Sequence, residues 1–131
     1  MTPPPPFPAI DRPGALALNA AHEAETAPLD APALERLLAA AVLARAPRGA
    51  AGETLALLIV LDETAGAESP NFRWFAARRA RFLYVDRVIV APAARRTGLA
   101  RRLYAEALGF AEAGRAPLPS GKTVRYVERA P

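Results

Sequence analysis

Cysteine is absent from the 131 residues, which excludes disulfides, thiolate metal sites and a cysteine nucleophile. The single histidine, His22, cannot by itself assemble an imidazole cluster, so no metal site is assigned. No apolar run approaches the ~20 residues that a membrane-spanning helix requires, and no membrane partner is expected. An apolar leader is missing too: prolines at 3–6 and 8 stand where it would lie, so a cytoplasmic protein is expected. Aromatic residues make up only 7% of the chain and are not interleaved with the basic clusters. A base-stacking platform needs that interleaving, so nucleic acid is disfavoured as a partner.

What remains is a chain of one-domain length, 52% apolar, with 32 alanines that bury little surface each. The net charge of +4 suggests an anionic partner. Sixteen of the 17 basic residues are arginine, a bias that GC-rich coding alone can produce, so it does not point to nucleic acid. Arg78, Arg79 and Arg81 read as a solvated helix end.

Residues 1–13 read as a disordered or polyproline arm, and 14–131 as the domain. Residues 15–19 suggest a first strand. Asp30 can N-cap a helix with Pro32 in its first turn. Leu34, Leu37, Leu38, Ala41 and Val42 give that helix one apolar stripe, and Pro47-Arg48-Gly49 ends it. Residues 54–62 read as a buried strand, 66–70 as a turn, and 71–79 as a short helix or irregular segment carrying Trp74. A strand at 82–90 and a helix at 97–110 follow. In that helix Leu99, Leu103, Ala107 and Phe110 form the inward face, while Arg101, Arg102 and Glu106 point out. Residues 111–116 and 122–128 suggest a hairpin around Gly121. The expected class is α/β, with a mixed sheet.

The 82–110 strand–turn–helix makes an anion cradle. Amides in the first turn of a helix lack intrahelical acceptors and carry partial positive charge, which suits a pyrophosphate. Gly98 lets the backbone approach without a Cβ, and arginines supply the balancing charge. Two common phosphate motifs fail here. The turn has one glycine where the dinucleotide fingerprint needs three, and Gly121-Lys122-Thr123 lacks the first glycine of a P-loop, Ala116 standing in its place.

The spacing that does fit is V-x-P-x-x-R-x-x-G-x-[GA], filled by Val90, Pro92, Arg95, Gly98 and Ala100. It resembles the acyl-CoA-binding signature of the GNAT superfamily of N-acyltransferases. Phe82-Leu83-Tyr84-Val85-Asp86-Arg87-Val88-Ile89-Val90 is similar to that family's central strand. Leu108-Gly109-Phe110 with Gly114-Arg115 looks like the end of its second cofactor motif. The blocks at 18–22 and 69–75 are similar to a bacterial subgroup of predicted family members. The resemblance implies a GNAT-like fold, acetyl-CoA as acyl donor, and a small-molecule or peptide amine as acceptor; a homodimer is left open. It implies that Val88, Ile89, Val90, Arg95, Arg96, Thr97, Gly98, Leu99, Ala100 and Arg101 hold the cofactor. Asn19, Asn71 and Trp74 would then line the acceptor site, with the loop at 19–25 and the turn at 118–122.

One departure matters. Eleven positions separate Gly98 from Gly109, so the family's second splayed strand and following helix, roughly 25–35 residues, have no counterpart. One wall of the cofactor gap is then missing, and the terminal hairpin would be free to close on the 82–90 strand. The family's tyrosine acid has no clear match, since Tyr104 is one position out of register.

Acyl transfer needs a neutral amine, and an alkyl ammonium with pKa near 10.4 is about 4–5 kcal/mol short of that at pH 7. Asp86 is the candidate base, expected on the face of Tyr84 and Val88; the competing reading is an ion pair with a neighbouring arginine. A backbone N–H of Val88, Ile89 or Val90 would hold the oxyanion. His22 reads as a surface or strand-end residue, and Glu23 and Glu25 as solvated. Two readings outside catalysis stay open: a silent remnant acting as a small binding domain, and an arginine-rich nucleic-acid binder.

Overall fold

The structure, a computed structural model, describes residues 10–24 and 26–114, with side chains as far as residue 109. It is a small α+β domain whose described sheet is three-stranded, antiparallel and ordered β1-β2-β3. Seven labelled elements run along the chain: α1 (Arg12–Ala20), α2 (Ala31–Ala40), β1 (Leu43–Arg45), β2 (Ala56–Asp62), α3 (Pro70–Ala76), β3 (Leu83–Val90) and α4 (Leu99–Gly114).

Strand β2 reads Ala-Leu-Leu-Ile-Val-Leu because it is covered on both faces and has a strand on each side. Leu57, Ile59 and Leu61 meet α1, α2 and α3 through Ala15, Leu18, Leu34, Leu38, Phe72 and Phe75. Ala56, Leu58 and Val60 meet Leu99, Leu103 and Ala107 of α4 on the other face. The result is three layers, helices–sheet–helix. Phe72, Phe75, Phe82 and Tyr84 form an aromatic cluster in the first layer, with ring centroids 5.3 to 6.1 Å apart.

Several boundaries differ from the sequence expectation. The strand expected at 15–19 is part of α1. Pro13 presets helical φ in its first turn, and Ala15, Leu18 and Asn19 bury one face at helical spacing. Arg12 and Pro13 therefore belong to the domain rather than to the N-terminal arm, and Ile10 already packs on the core; residues 1–9 lie outside the described residues. Helix α2 starts as expected, Asp30 accepting from Ala33 N at 2.8 Å, but it stops at Ala40. Ala41 is extended, and Val42 N donates to Val60 O at 2.9 Å, leading into β1. The sheet is antiparallel throughout the described residues, not mixed. Residues 111–114, expected in a strand, continue α4 as one unbroken helix; the rest of the expected hairpin lies outside the described residues.

Asp30→Ala removes the cap of α2 and should lower unfolding stability by about 1 kcal/mol. Asp30→Asn should keep most of it. Urea midpoints of the three proteins check this.

Candidate functional site

Charge enters the middle of an otherwise apolar strand at Asp86-Arg87, and the strand accommodates it with a bulge. Val85 faces Val60 and Arg87 faces Ile59, which leaves Asp86 as the extra residue. One extra residue shifts the two-residue side-chain period. Tyr84 and Ile89 consequently share the α1–α3 face, while Val85, Val88 and Val90 pack on the α4 side. The expectation that Asp86 lies on one face with both Tyr84 and Val88 is corrected: Val88 is on the opposite face.

The bulge turns Arg87 inward. Its Nε donates to Asp86 Oδ2 at 2.8 Å, and its Nη1 donates to Asn19 Oδ1 at 2.6 Å and to Ala27 O at 3.2 Å. Asn19 Nδ2 donates to the same Ala27 carbonyl at 3.0 Å. Asn19, expected to touch the acceptor, is fully buried and instead orients Arg87. Asp86, the expected base, stands in an ion pair with side-chain exposures of 7% for Arg87 and 11% for Asp86.

Two clefts meet at this pair. One, of about 620 Å³, runs between α2 and the 65–69 loop; the other, of about 580 Å³, is lined by Thr26, Asn71 and Tyr84. Ser69, Asp86 and Arg87 line both. Ser69 also caps α3, accepting from Phe72 N at 3.2 Å. Burial pushes the Tyr84 hydroxyl above the ordinary tyrosine pKa. The hydrogen bond with Ser69 opposes that shift, the Asp86 charge adds to it, and Asn71 and Arg87 oppose it. Asn71 lines the second of these clefts. Trp74 does not line these two clefts: it stands edge-on to Phe75 at 4.9 Å, with Arg78 4.4 Å over its ring.

The other end of β3 leads to the expected cradle. Ala91 N donates to Leu55 O at 2.8 Å, so by alternation Ile89 also turns its backbone to β2. Val88 and Val90 then present N–H and C=O to the outer edge, which no described strand pairs. This separates Ile89 from the expected cofactor contacts, and its side chain is buried in the core. A 3₁₀ turn, Pro92–Ala94, follows, and the chain takes positive φ at Arg96 (65°) and Gly98 (82°). A left-handed arginine costs roughly 1–3 kcal/mol and is the kind of strain that gathers at working sites. Thr97 Oγ1 donates to Ala94 O at 2.5 Å, and Arg102 N to Gly98 O at 3.0 Å. The amides of Leu99, Ala100 and Arg101 therefore have no acceptor within α4. They border a recess of about 310 Å³ lined by Val90, Arg95, Arg96, Gly98, Ala100 and Arg101, among others.

Arg95 is held to the protein, its Nε donating to Val90 O at 3.3 Å and its Nη2 to His22 Nε2 at 3.1 Å. His22 is buried at the end of α1, not a surface residue, and its Nδ1 donates to Leu18 O at 3.0 Å. Arg96 and Arg101 are exposed and make no hydrogen bond or ion pair among the described residues. Leu99 packs under α4 into the core. Glu23 is exposed; Glu25 and the turn at 118–122 lie outside the described residues. No group of three acidic or histidine side chains among the described residues could hold a metal. No described helix is long and apolar enough to cross a membrane.

Arg87, Ser69 and Tyr84 were not singled out from the sequence. Two adjacent opposite charges inside an alternating apolar strand were the available signal for Arg87, since strict alternation would place one of them in the core. Comparison with family models, curated proteins and solved structures finds no match to this chain.

Asn19→Ala leaves one Arg87 N–H without its acceptor and should cost about 2–3 kcal/mol in chemical denaturation. Tyr84 gives a pH signature. Its folded pKa lies above the unfolded value near 10, so unfolded chains ionise first as pH rises. Stability should therefore fall from about pH 10 upward through the folded pKa. Denaturation of wild type and Tyr84→Phe between pH 8 and 11 checks this, the variant lacking that part of the alkaline loss.

Proposed function

We propose that this chain is a GNAT-type N-acyltransferase that moves an acetyl group from acetyl-CoA to a primary amine. The observation that carries the reading is the passage from a strand edge that no described strand pairs to an exposed turn whose first helical amides have no acceptor among the described residues. That turn sits between Arg96 and Arg101, two cations with no partner among the described residues. A diphosphate fits this donor set: the amides of Leu99, Ala100 and Arg101 would donate to its oxygens, and the two guanidinium groups would balance its charge. Gly98 keeps the approach open, since a Cβ there would point at nothing nearer than Arg102 Nη1 at 3.7 Å.

Acetyl-CoA would supply an activated thioester: its C–S bond would break as the C–N bond to the amine forms, and the coenzyme would leave as its thiol after taking a proton from the attacking nitrogen. The outer edge of β3 runs from Val90 to Val88 and offers backbone donors to an extended amide-bearing arm and to a carbonyl oxygen gaining charge. Asp86 receives the proton that the ammonium must lose. Its Oδ2 is held by Arg87, while Oδ1 has no hydrogen bond among the described residues. A second reading is favoured by one observation, the close Asp86–Arg87 pair, which occupies half of the proposed base. In that reading the domain binds the nucleotide and does not turn over.

Titration calorimetry with acetyl-CoA tests the proposal. Wild type should bind, Arg96→Ala/Arg101→Ala should weaken binding at least tenfold without changing the melting temperature, and Gly98→Glu should abolish it. Unchanged affinity in both variants, or no binding by wild type, overturns the reading. Thiol release from acetyl-CoA in the presence of mixed amines separates the enzyme from the binding domain.

A further inference from the structure

We propose that the two clefts meeting at the bulge form one binding site for a free α-amino acid with an apolar side chain, its carboxylate on Arg87 and its ammonium on Asp86. Arg87 carries five N–H donors, and three are used inside the protein. The two on Nη2 meet no acceptor among the described residues, although the side chain is only 7% exposed. A nearly dry guanidinium with two open donors is an anion site in want of its anion. Asp86 Oδ1, equally without a hydrogen bond among the described residues, is the complementary acceptor.

The spacing selects the ligand. Arg87 and Asp86 touch each other at 2.8 Å, so a ligand answering both must carry its negative and positive groups on neighbouring atoms. An α-amino acid does so. A simple amine answers Asp86 alone, and a dicarboxylate brings a second negative charge toward Asp86 and Glu68, which lines the same cleft. Pro28, Leu29, Leu37, Ala40 and Leu61 wall the larger wing, giving an apolar side chain its place. Ser69 and Tyr84 hydroxyls stand beside the pair and can hydrogen-bond the same ammonium or carboxylate.

This inference deepens the proposed acyl transfer and rests on it for the fate of the ligand, but its binding half stands alone. Asp86 lies two residues from Val88, ~7 Å along a strand, so a ligand amine on Asp86 is next to the edge assigned to the thioester. The Nα–C(acyl) bond would form as the thioester C–S bond breaks, the ammonium giving one proton to Asp86 and a second to the departing thiolate, which leaves as the free thiol.

The test uses the full chain and calorimetric or saturation-transfer titration with L-leucine, L-isoleucine, L-methionine and L-phenylalanine. At least one should bind. For the tightest, the amide, the decarboxylated amine and the deaminated acid should each bind at least tenfold more weakly. Because Arg87 is structural, the analogue series on wild type carries the carboxylate arm. Asp86→Asn, checked for an intact melting transition, should weaken the amino acid tenfold and leave the deaminated acid unchanged. No binding by any of the four, or equal binding of the amino acid and its decarboxylated amine, overturns the inference. Acetyl-CoA titrated into the same sample separates the failures. Acetyl-CoA binding without amino-acid binding sinks this inference only, and the reverse result sinks the acyltransferase reading only.

Discussion

Taking the Arg87 guanidinium out of water is the constraint on which the rest of the molecule is arranged. Desolvating such a charge costs several kcal/mol, which only close and well-aimed partners offset. The partners come from three places in the chain: Asp86 beside it, Asn19 at the end of α1, and the Ala27 carbonyl between α1 and α2. Each imposes geometry. The strand must bulge to send Arg87 inward, α1 must end with Asn19 facing the sheet, and the loop must return past Ala27 before Asp30 caps α2. Removing any one leaves a buried charge short of a partner, so the first layer stands or falls together.

The bulge also sets what β3 offers to the outside. Past it, the side-chain phase is shifted, and Val88 and Val90 turn apolar side chains to α4 while their backbone groups face the outer edge, which no described strand pairs. An open edge is a hazard for a folded domain, because it invites pairing with other strands. Arg95 answers part of that hazard by folding back on the Val90 carbonyl and bridging to His22, which blocks the end of the edge with charge. Nearer Val88 no described strand or side chain covers the edge.

Local patterns carried much of the fold. The Asp30 cap, the apolar β2 run, the β3 strand and the inward face of α4 were all readable, because each rests on contacts within a few residues or on one clear period. Residues 15–19 misled because Ala-Leu-Ala-Leu alternates like a strand, whereas the deciding signal was Pro13 in the first turn. β1 was hidden because Ala41 and Val42 continue the apolar stripe of α2 without a glycine or proline to mark the change. At the site, the turn at 95–101 was legible from spacing, but the contact between Asn19 and Arg87 spans 68 residues and leaves no local trace. Hence Asn19 was assigned to the ligand when its work is to hold Arg87.

The short interval between Gly98 and Gly109 acquires a physical meaning in α4. Leu99, Leu103 and Ala107 fall at i, i+4 and i+8, so the apolar face keeps one phase along the helix. It covers Leu58, Val60 and Leu83, and Glu106 on its outer side pairs with Arg45 of β1 at 2.6 Å. A break of one or two residues in that period would turn the face by 100° or more at ~3.6 residues per turn, exposing the sheet. Among the described residues α4 alone forms the second layer.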